Sequence, residues 1–325
     1  MKKYFIVAFL CILASCNDEK KETTVRLEGY VFGTTYHITY LGDKKKDFQK
    51  SIDSLFHLVN ASISTYVPTS AISKINNGDT TVFLDAFFVE VFQKSKRIYK
   101  ETNGYFDPTV GNLVNAWGFG PNEAKKEMDS LKVQKLMQNV GLHKVEIKNG
   151  KIHKEHSDIY LDVNSIGKGY GVDIIGRFLE SKSIDNYLVE IGGEIRARGK
   201  SDKNKFWKVA IEKPNTDGTQ SFQKTIVLKN TSMATSGNYR KFRVTDDGKK
   251  YVHTVNPITG FATESNLLSA SVISEADCAD VDAYATAFMA MGLEKTIAFL
   301  KSHKELKVIL LYLDNNEMIQ EFVSK

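Results

Sequence analysis

Apolar residues along the chain change their spacing several times. The first run, Tyr4 to Leu13, is unbroken; it follows Lys2 and Lys3 and stops at Leu13-Ala14-Ser15-Cys16, before the polar Asn17-Asp18-Glu19-Lys20-Lys21-Glu22. About ten residues are too few to cross a bilayer as a helix and suit the core of an export signal. From 25 to 40 the chain is rich in strand formers around a Gly-Thr-Thr interruption. Residues 47–61 then put Phe48, Ile52, Leu55, Phe56 and Val59 on one helical stripe, and 84–99 do so with Phe87, Phe88, Val91, Phe92 and Ile98. Ser70 suits the cap of a short helix, and Ser130 the cap of one running to Gly141. Short apolar runs predict strands at 144–148, 159–163, 187–191, 207–212, 224–229 and 267–273, with helices at 168–181 and 279–290. Residues 306–313 and 318–323 read as a hairpin about Asp314-Asn315-Asn316. No regular βαβ unit recurs. The pattern therefore predicts an α+β fold, a single mixed domain of antiparallel-rich sheets and packed helices. It divides into a signal at 1–15, a solvated tether at 16–24 and one domain at 25–325.

Composition narrows this. With 325 residues, 42% hydrophobic and 26% charged, the chain can bury a full core, which excludes wholesale disorder, collagen and a coiled-coil rod. The net charge of +5 comes from 44 basic and 39 acidic residues, and no Lys/Arg block is built for nucleic acid. Small residues before Cys16 resemble the bacterial lipoprotein signal. In that signal Cys16 is lipidated and becomes the first mature residue, anchoring the protein to the membrane on its extracytoplasmic, periplasmic side. Cys11 would leave with the signal, so Cys278 stands alone and no disulfide framework forms.

Four clusters carry candidate chemistry. Gly29-Tyr30-Val31-Phe32-Gly33-Thr34-Thr35 allows a bulge or a close backbone approach. Ser64-Thr65-Tyr66 precedes Ser70, and Tyr66 could stack on a flat ligand. Gly104-Tyr105-Phe106-Asp107-Pro108-Thr109-Val110-Gly111, running on to Trp117-Gly118-Phe119-Gly120, packs aromatics, glycines and an acid into one stretch. Leu161-Asp162-Val163-Asn164-Ser165-Ile166-Gly167-Lys168-Gly169 leads a strand pattern into a helix, whose free amides and Lys168 suit an anion. It fails the G-x-G-x-x-G fingerprint, and there is no Walker A run. Further on, Thr235-Ser236-Gly237-Asn238-Tyr239 reads as a hydroxyl-rich turn. His253 ends a strand pattern and suits a general base or a phosphate ligand. Asp282 and Thr286, four apart, share one helix face, an oxygen-only pair suited to Mg²⁺.

In order, these clusters resemble the ApbE family, the FAD:protein FMN transferases. The resemblance runs from about Gly29 to Gly292 on six separated motifs. Among them are the Tyr66 and Ser70 stretch, the Gly104-to-Gly111 stretch, Leu161-Asp162 with Lys168-Gly169-Tyr170, His253 to Gly260, and Asp282 to Thr286. It implies that Phe32, in place of a family Met, together with Tyr66, Tyr105, Phe106, Asp107, Asp162, Lys168 and, through its backbone, Val255, contacts FAD. It also implies that Ser165 (through its carbonyl), Asp282, Thr286 and the position of Ala285, where some members carry an acid, hold Mg²⁺. The implied reaction attaches FMN from FAD to a Thr hydroxyl of an acceptor protein, typically a subunit of a membrane redox complex, and releases AMP. His253 or Asp282 would take the acceptor proton. Asn256 replaces the family Asp, which removes a charge and any base at that place. Two alternatives share the site: an FAD pyrophosphatase with water as nucleophile, and a non-catalytic flavin-binding lipoprotein. His153-Lys154-Glu155-His156 lacks the spacing of a zinc hydrolase.

Overall fold

The computed structural model describes residues 23–121, 128–212, 222–238, 242–244, 250–262 and 266–324; the signal and Cys16 lie outside them. The first third comprises strands β1 (Thr23–Val31) and β2 (Thr34–Gly42) and helices α1 (Gln49–Ile63), α2 (Ala71–Asn76), α3 (Ala86–Glu101), α4 (Gly111–Trp117) and α5 (Ser130–Met137). Next come β3 (Val145–Lys148), β4 (Lys151–Lys154), α6 (Asn164–Ser181), β5 (Tyr187–Ile191), β6 (Glu194–Arg198), β7 (Trp207–Glu212), β8 (Phe222–Leu228) and β9 (Ser232–Gly237). The chain finishes with β10 (Phe242–Val244), β11 (Lys250–Val252), β12 (Leu267–Ser274), α7 (Cys278–Met291), α8 (Leu293–Phe299), β13 (Lys307–Leu313) and β14 (Ile319–Val323).

Eight strands form one sheet in the order β1-β2-β5-β6-β9-β12-β13-β14, and every pairing in it is antiparallel. The α+β expectation holds. Burial follows position in the sheet. Strand β2 alternates, with Tyr36, Ile38 and Tyr40 buried and His37 exposed, whereas central β12 is buried on both faces. Helices α6 and α7 pack on one face, against β5, β6, β9 and β12. The β7–β8 hairpin brings Trp207, Ile211 and Leu228 against Ile195, Ala197 and Met233. Strand β6 thus has two buried sides of opposite chemistry. Ile195 and Ala197 meet the hairpin, while Glu194 and Arg196 point their charges at α6 and α7.

Several predicted elements move. Residues 159–163 form no strand; Tyr160 makes a single parallel bridge to Val110. The backbone there is engaged elsewhere: Leu161 exchanges two 2.8 Å hydrogen bonds with the Asn76 side chain, and the Asp162 amide donates to the Pro108 carbonyl. Helix α6 starts at Asn164, four residues before the expected start, because burial of its Gly-rich first turns outweighs weak helix propensity. Asp129, not Ser130, caps α5, which ends at Met137 well short of Gly141. The hydroxyl-rich stretch is mostly strand, β9, although Tyr239 lies outside the described residues.

Candidate functional site

The charged face of β6, the first turns of α6 and the first half of α7 converge. Gly169 lets the two helices touch: a Cβ there would lie 2.4 Å from the Cys278 carbonyl oxygen and 2.8 Å from the Ala279 amide. At this crossing the Gly169 amide donates to Asp282 Oδ2 at 3.0 Å. Helical geometry would direct that amide to the Ser165 carbonyl four residues back. Thr286 lies one turn beyond Asp282, its hydroxyl 3.2 Å from Ser236 Oγ of β9. Lys168 Nζ is 2.6 Å from Glu194 Oε1. Glu194 is 2% exposed, and its Oε2 has no hydrogen-bond partner among the described residues.

The electrostatics follow from burial. Two carboxylates, Asp282 and Glu194, share one ammonium in a dry place. Burial, then the Glu194 charge, pushes Asp282 up to about 8, against the pull of Lys168 and the Gly169 amide. Burial raises Glu194 as well, opposed by Lys168. Burial alone would lower Lys168, but Glu194 and Asp282 outweigh it and hold the ammonium charged. With both carboxylates ionised the cluster is one positive charge short, and its spare donors are oxygens, which fits a hard divalent cation. No group of three or more His, Cys, Asp or Glu among the described residues could hold a metal. A cation here would therefore need Asp282, the Thr286 hydroxyl, backbone oxygen and ligand oxygen together. Ser165, in the first turn of α6, is partly exposed. Ala285 is fully buried and brings no side-chain donor.

An ion-pair network fixes the N-terminus of α7. Asp173 of α6, wholly buried, accepts from the Cys278 amide (2.9 Å), the Ala279 amide (2.8 Å) and Arg196 Nη1 (2.8 Å). It caps α7 from a neighbouring helix. Burial, then the Asp277 charge, raises its carboxyl to about 6, opposed by those amides and Arg196. Asp277 in turn meets Arg196, Arg177 and Lys94 at 2.7–2.9 Å. The helix that carries Asp282 and Thr286 is thereby held in register with Lys168.

The other predicted residues form a ring of aromatics and braces. Phe32 and Gly33 make the two-residue β1–β2 turn, with φ of +51° and +75°. Both central residues at positive φ match a type I′ turn, which favours Asn-Gly, so a Phe there is strained. Its ring packs edge-on against Phe56, 5.7 Å between centroids, and lies on Gly171 of α6, where a Cβ would be 2.3 Å from Phe32 Cε2. Tyr66 is 60% exposed, and partial burial, Asp162 and Tyr160 raise its hydroxyl. Asp162 is buried and raised by that burial, although its Oδ1 accepts from the Asn164 amide. Tyr105 is partly exposed, with Lys295 bonded to its hydroxyl and lying over its ring. Phe106 is core, and the Asp107 carboxylate is engaged by Thr109 and by the Leu142 amide, so its side chain braces the loop.

His253 follows β11 and packs edge-on to Phe119. Val255 is buried with Leu113 and Trp117. Asn256 is a turn-former: its oxygen accepts from Ile258 (2.9 Å) and its amide donates to the Ala290 carbonyl near the end of α7 (3.2 Å). A charge at this place would face that carbonyl. Residues 165, 168, 282 and 286 are thus brought together on α6 and α7, with Phe32 beside them. Phe106 and Val255 are placed in packing roles.

Glu194, Asp173 and Arg196 escaped the sequence reading. The available signal was charge alternating with apolar residues after Gly192-Gly193, in a stretch otherwise buried.

Known proteins resemble this chain in sequence and fold. A family model described as the ApbE family matches residues 32–310. A Haemophilus influenzae protein named FAD:protein FMN transferase is 34% identical over 322 residues, covering 95% of this chain and 92% of its own. A Vibrio cholerae protein of the same name is 34% identical over 328 residues, covering 98% and 95%. The solved structure of the flavin transferase ApbE from Vibrio cholerae matches with a TM-score of 0.84 at 32% identity, covering 94% of this chain and 98% of that one.

Proposed function

This chain belongs to the ApbE family, and on that ground we propose that it transfers FMN from FAD to a threonine hydroxyl of an acceptor protein, releasing AMP. The class is transferase, as in the named relatives. The observation that carries the reading is the Lys168–Glu194–Asp282 cluster at the α6–α7 crossing, with Thr286 one turn away. In the proposed reaction the acceptor oxygen forms a bond to the FMN phosphorus. The P–O bond to the AMP moiety breaks, AMP leaves with the electron pair, and the threonine proton passes to a base. Such transfer needs charge neutralisation and alignment more than covalent catalysis. Lys168 offsets phosphate charge at the α6 N-terminus, whose amides favour the same anion. Asp282, Thr286 and the Ser165 carbonyl would hold Mg²⁺, which supplies further neutralisation of the pyrophosphate. Asp282 would be taken up as a Mg²⁺ ligand, so we assign the base to His253. Phe32, Tyr66 and Tyr105 offer stacking surface for flavin or adenine.

We further propose that Cys16 is lipidated and tethers the enzyme to the extracytoplasmic side of a bacterial membrane. The Leu13-Ala14-Ser15-Cys16 junction supports this. The acceptor would then be a subunit of a membrane redox complex. The test is intact mass of a threonine-bearing acceptor domain incubated with residues 17–325, FAD and Mg²⁺. An acceptor heavier by one FMN with wild type, and unmodified with Asp282→Ala, is the expected result. AMP and free FMN with an unmodified acceptor would replace the transferase by a pyrophosphatase, and intact bound FAD by a flavin carrier. Undiminished turnover of His253→Ala would remove the histidine from the base role.

A further inference from the structure

We propose that Glu194 is a positioning residue for the substrate's pyrophosphate: its buried carboxylate holds the Lys168 ammonium at the start of α6, where the ammonium's outer side meets phosphate. The inference rests on the reading of Lys168 as an FAD contact. The pair is asymmetric. Glu194 is 2% exposed and the Lys168 side chain 33%, so the acid lies underneath and the lysine keeps part of its surface open. An ammonium has three donors, so one can remain on Glu194 while others serve a ligand. Without that anchor, a four-carbon lysine stem extends its charge into water. Here it is held at 2.6 Å.

The backbone aims the acid. Gly192 and Gly193, at φ of +61° and +103°, make the tight β5–β6 turn that starts β6 with residue 194 on the helix side. Side chains alternate along β6, so Arg196 falls on the same side and anchors α7 through Asp173 and Asp277. One short strand thus sets both the lysine and the helix opposite it. Among the described residues Glu194 Oε2 has no hydrogen-bond partner, and an unpaired buried carboxylate oxygen is costly. Two apolar residues in place of the Lys168–Glu194 pair would cost the fold less than the buried charges do. The pair therefore answers a need outside the stability of the fold.

Net charge alone gives the opposite expectation. An acid beside a site for a polyanion repels it, so removing Glu194 should tighten FAD binding; loss of a positioned lysine should weaken it. The sign of one measurement decides. FAD affinity would be measured by flavin fluorescence, with and without Mg²⁺, on residues 17–325 as wild type, Glu194→Gln, Lys168→Met and the double variant. Glu194→Gln is expected to weaken FAD binding roughly tenfold, the scale of one charge-assisted hydrogen bond. KM for FAD should rise by more than kcat falls. The double variant should bind no worse than Lys168→Met, because Glu194 acts through that lysine. Unchanged or tighter binding by Glu194→Gln, or losses that multiply in the double variant, would overturn the proposal. Should Glu194→Gln not fold, the neutral double variant against Lys168→Met decides alone: equal affinity supports it, further loss overturns it. Failure of the transferase reading shows separately, as a wild type that binds FAD without modifying acceptor.

Discussion

Asp173→Asn tests how far the geometry of α7 depends on a cap supplied by another helix. The wild-type carboxylate accepts two backbone amides and one guanidinium, all at 2.8–2.9 Å, with no exposure to water. Asparagine keeps the shape but has one carbonyl oxygen, and its NH₂ must face an amide or Arg196. Removing one partner of a buried ion pair costs about 3–5 kcal/mol. Arg196 retains Asp277 at 2.9 Å and Glu180 at 3.1 Å, so the low end applies, about 3 kcal/mol. For a chain of this size about 2 °C is lost per kcal/mol, which puts the melting temperature about 6 °C lower. The assay is thermal unfolding at about pH 8, above the Asp173 pKa, beside Arg196→Met and the double variant. The double variant should melt above the sum of the two losses, because no charge is left unpaired. A single variant within about 1 °C of wild type would refute the argument that Asp173 stabilises the start of α7.

Three further perturbations follow from the same geometry. Gly169→Ala places a methyl against the Cys278 and Ala279 backbone, which cannot rotate away. It should cost about 1–3 kcal/mol and, by parting Gly169 from Asp282, raise the Mg²⁺ concentration needed for half-maximal activity. An unchanged melting curve and Mg²⁺ titration would contradict this. Asn256→Asp removes the donor to Ala290 and sets a charge near the C-terminal carbonyls of α7, so melting should fall by about 2–4 °C. A rise in melting temperature would count against the cap. In chelator, Asp282 binds its proton more tightly folded than unfolded, so its contribution to stability is present at low pH and lost as pH rises from about 4 to about 8. Relative to Asp282→Asn, wild type should therefore lose stability between about pH 5 and about pH 8 in thermal melts, and a difference rising with pH would refute the assignment.

Much of the frame was legible because it is local. The stripes of α1 and α3, the β13–β14 hairpin and the apolar run of α7 each repeat over a few residues, and in the three helices burial falls where those repeats predict it. The hidden parts are decided by pairings far apart in sequence. Residues 159–163 read as a strand, yet Asn76, 85 residues away, takes the Leu161 backbone. Asp173 meets Cys278 across 105 residues, and nothing near either predicts a cap. Strand β6 was invisible because Glu194 and Arg196 give it a polar face that is nevertheless buried. Asp282 and Thr286 were found because a carboxylate on an apolar helix is conspicuous. Glu194 carries the same signal, masked by its charged neighbours.

The β1–β2 turn sets stability against the site. Asparagine in place of Phe32 would suit the left-handed backbone and relieve strain on the order of 1 kcal/mol. It would also strip the ring from Phe56 and uncover Gly171, one turn from Lys168. On the proposed function, a library of this protein selected for heat resistance alone would drift toward that substitution and lose flavin chemistry as it hardened. Selection for turnover would keep the strained aromatic and accept a softer fold.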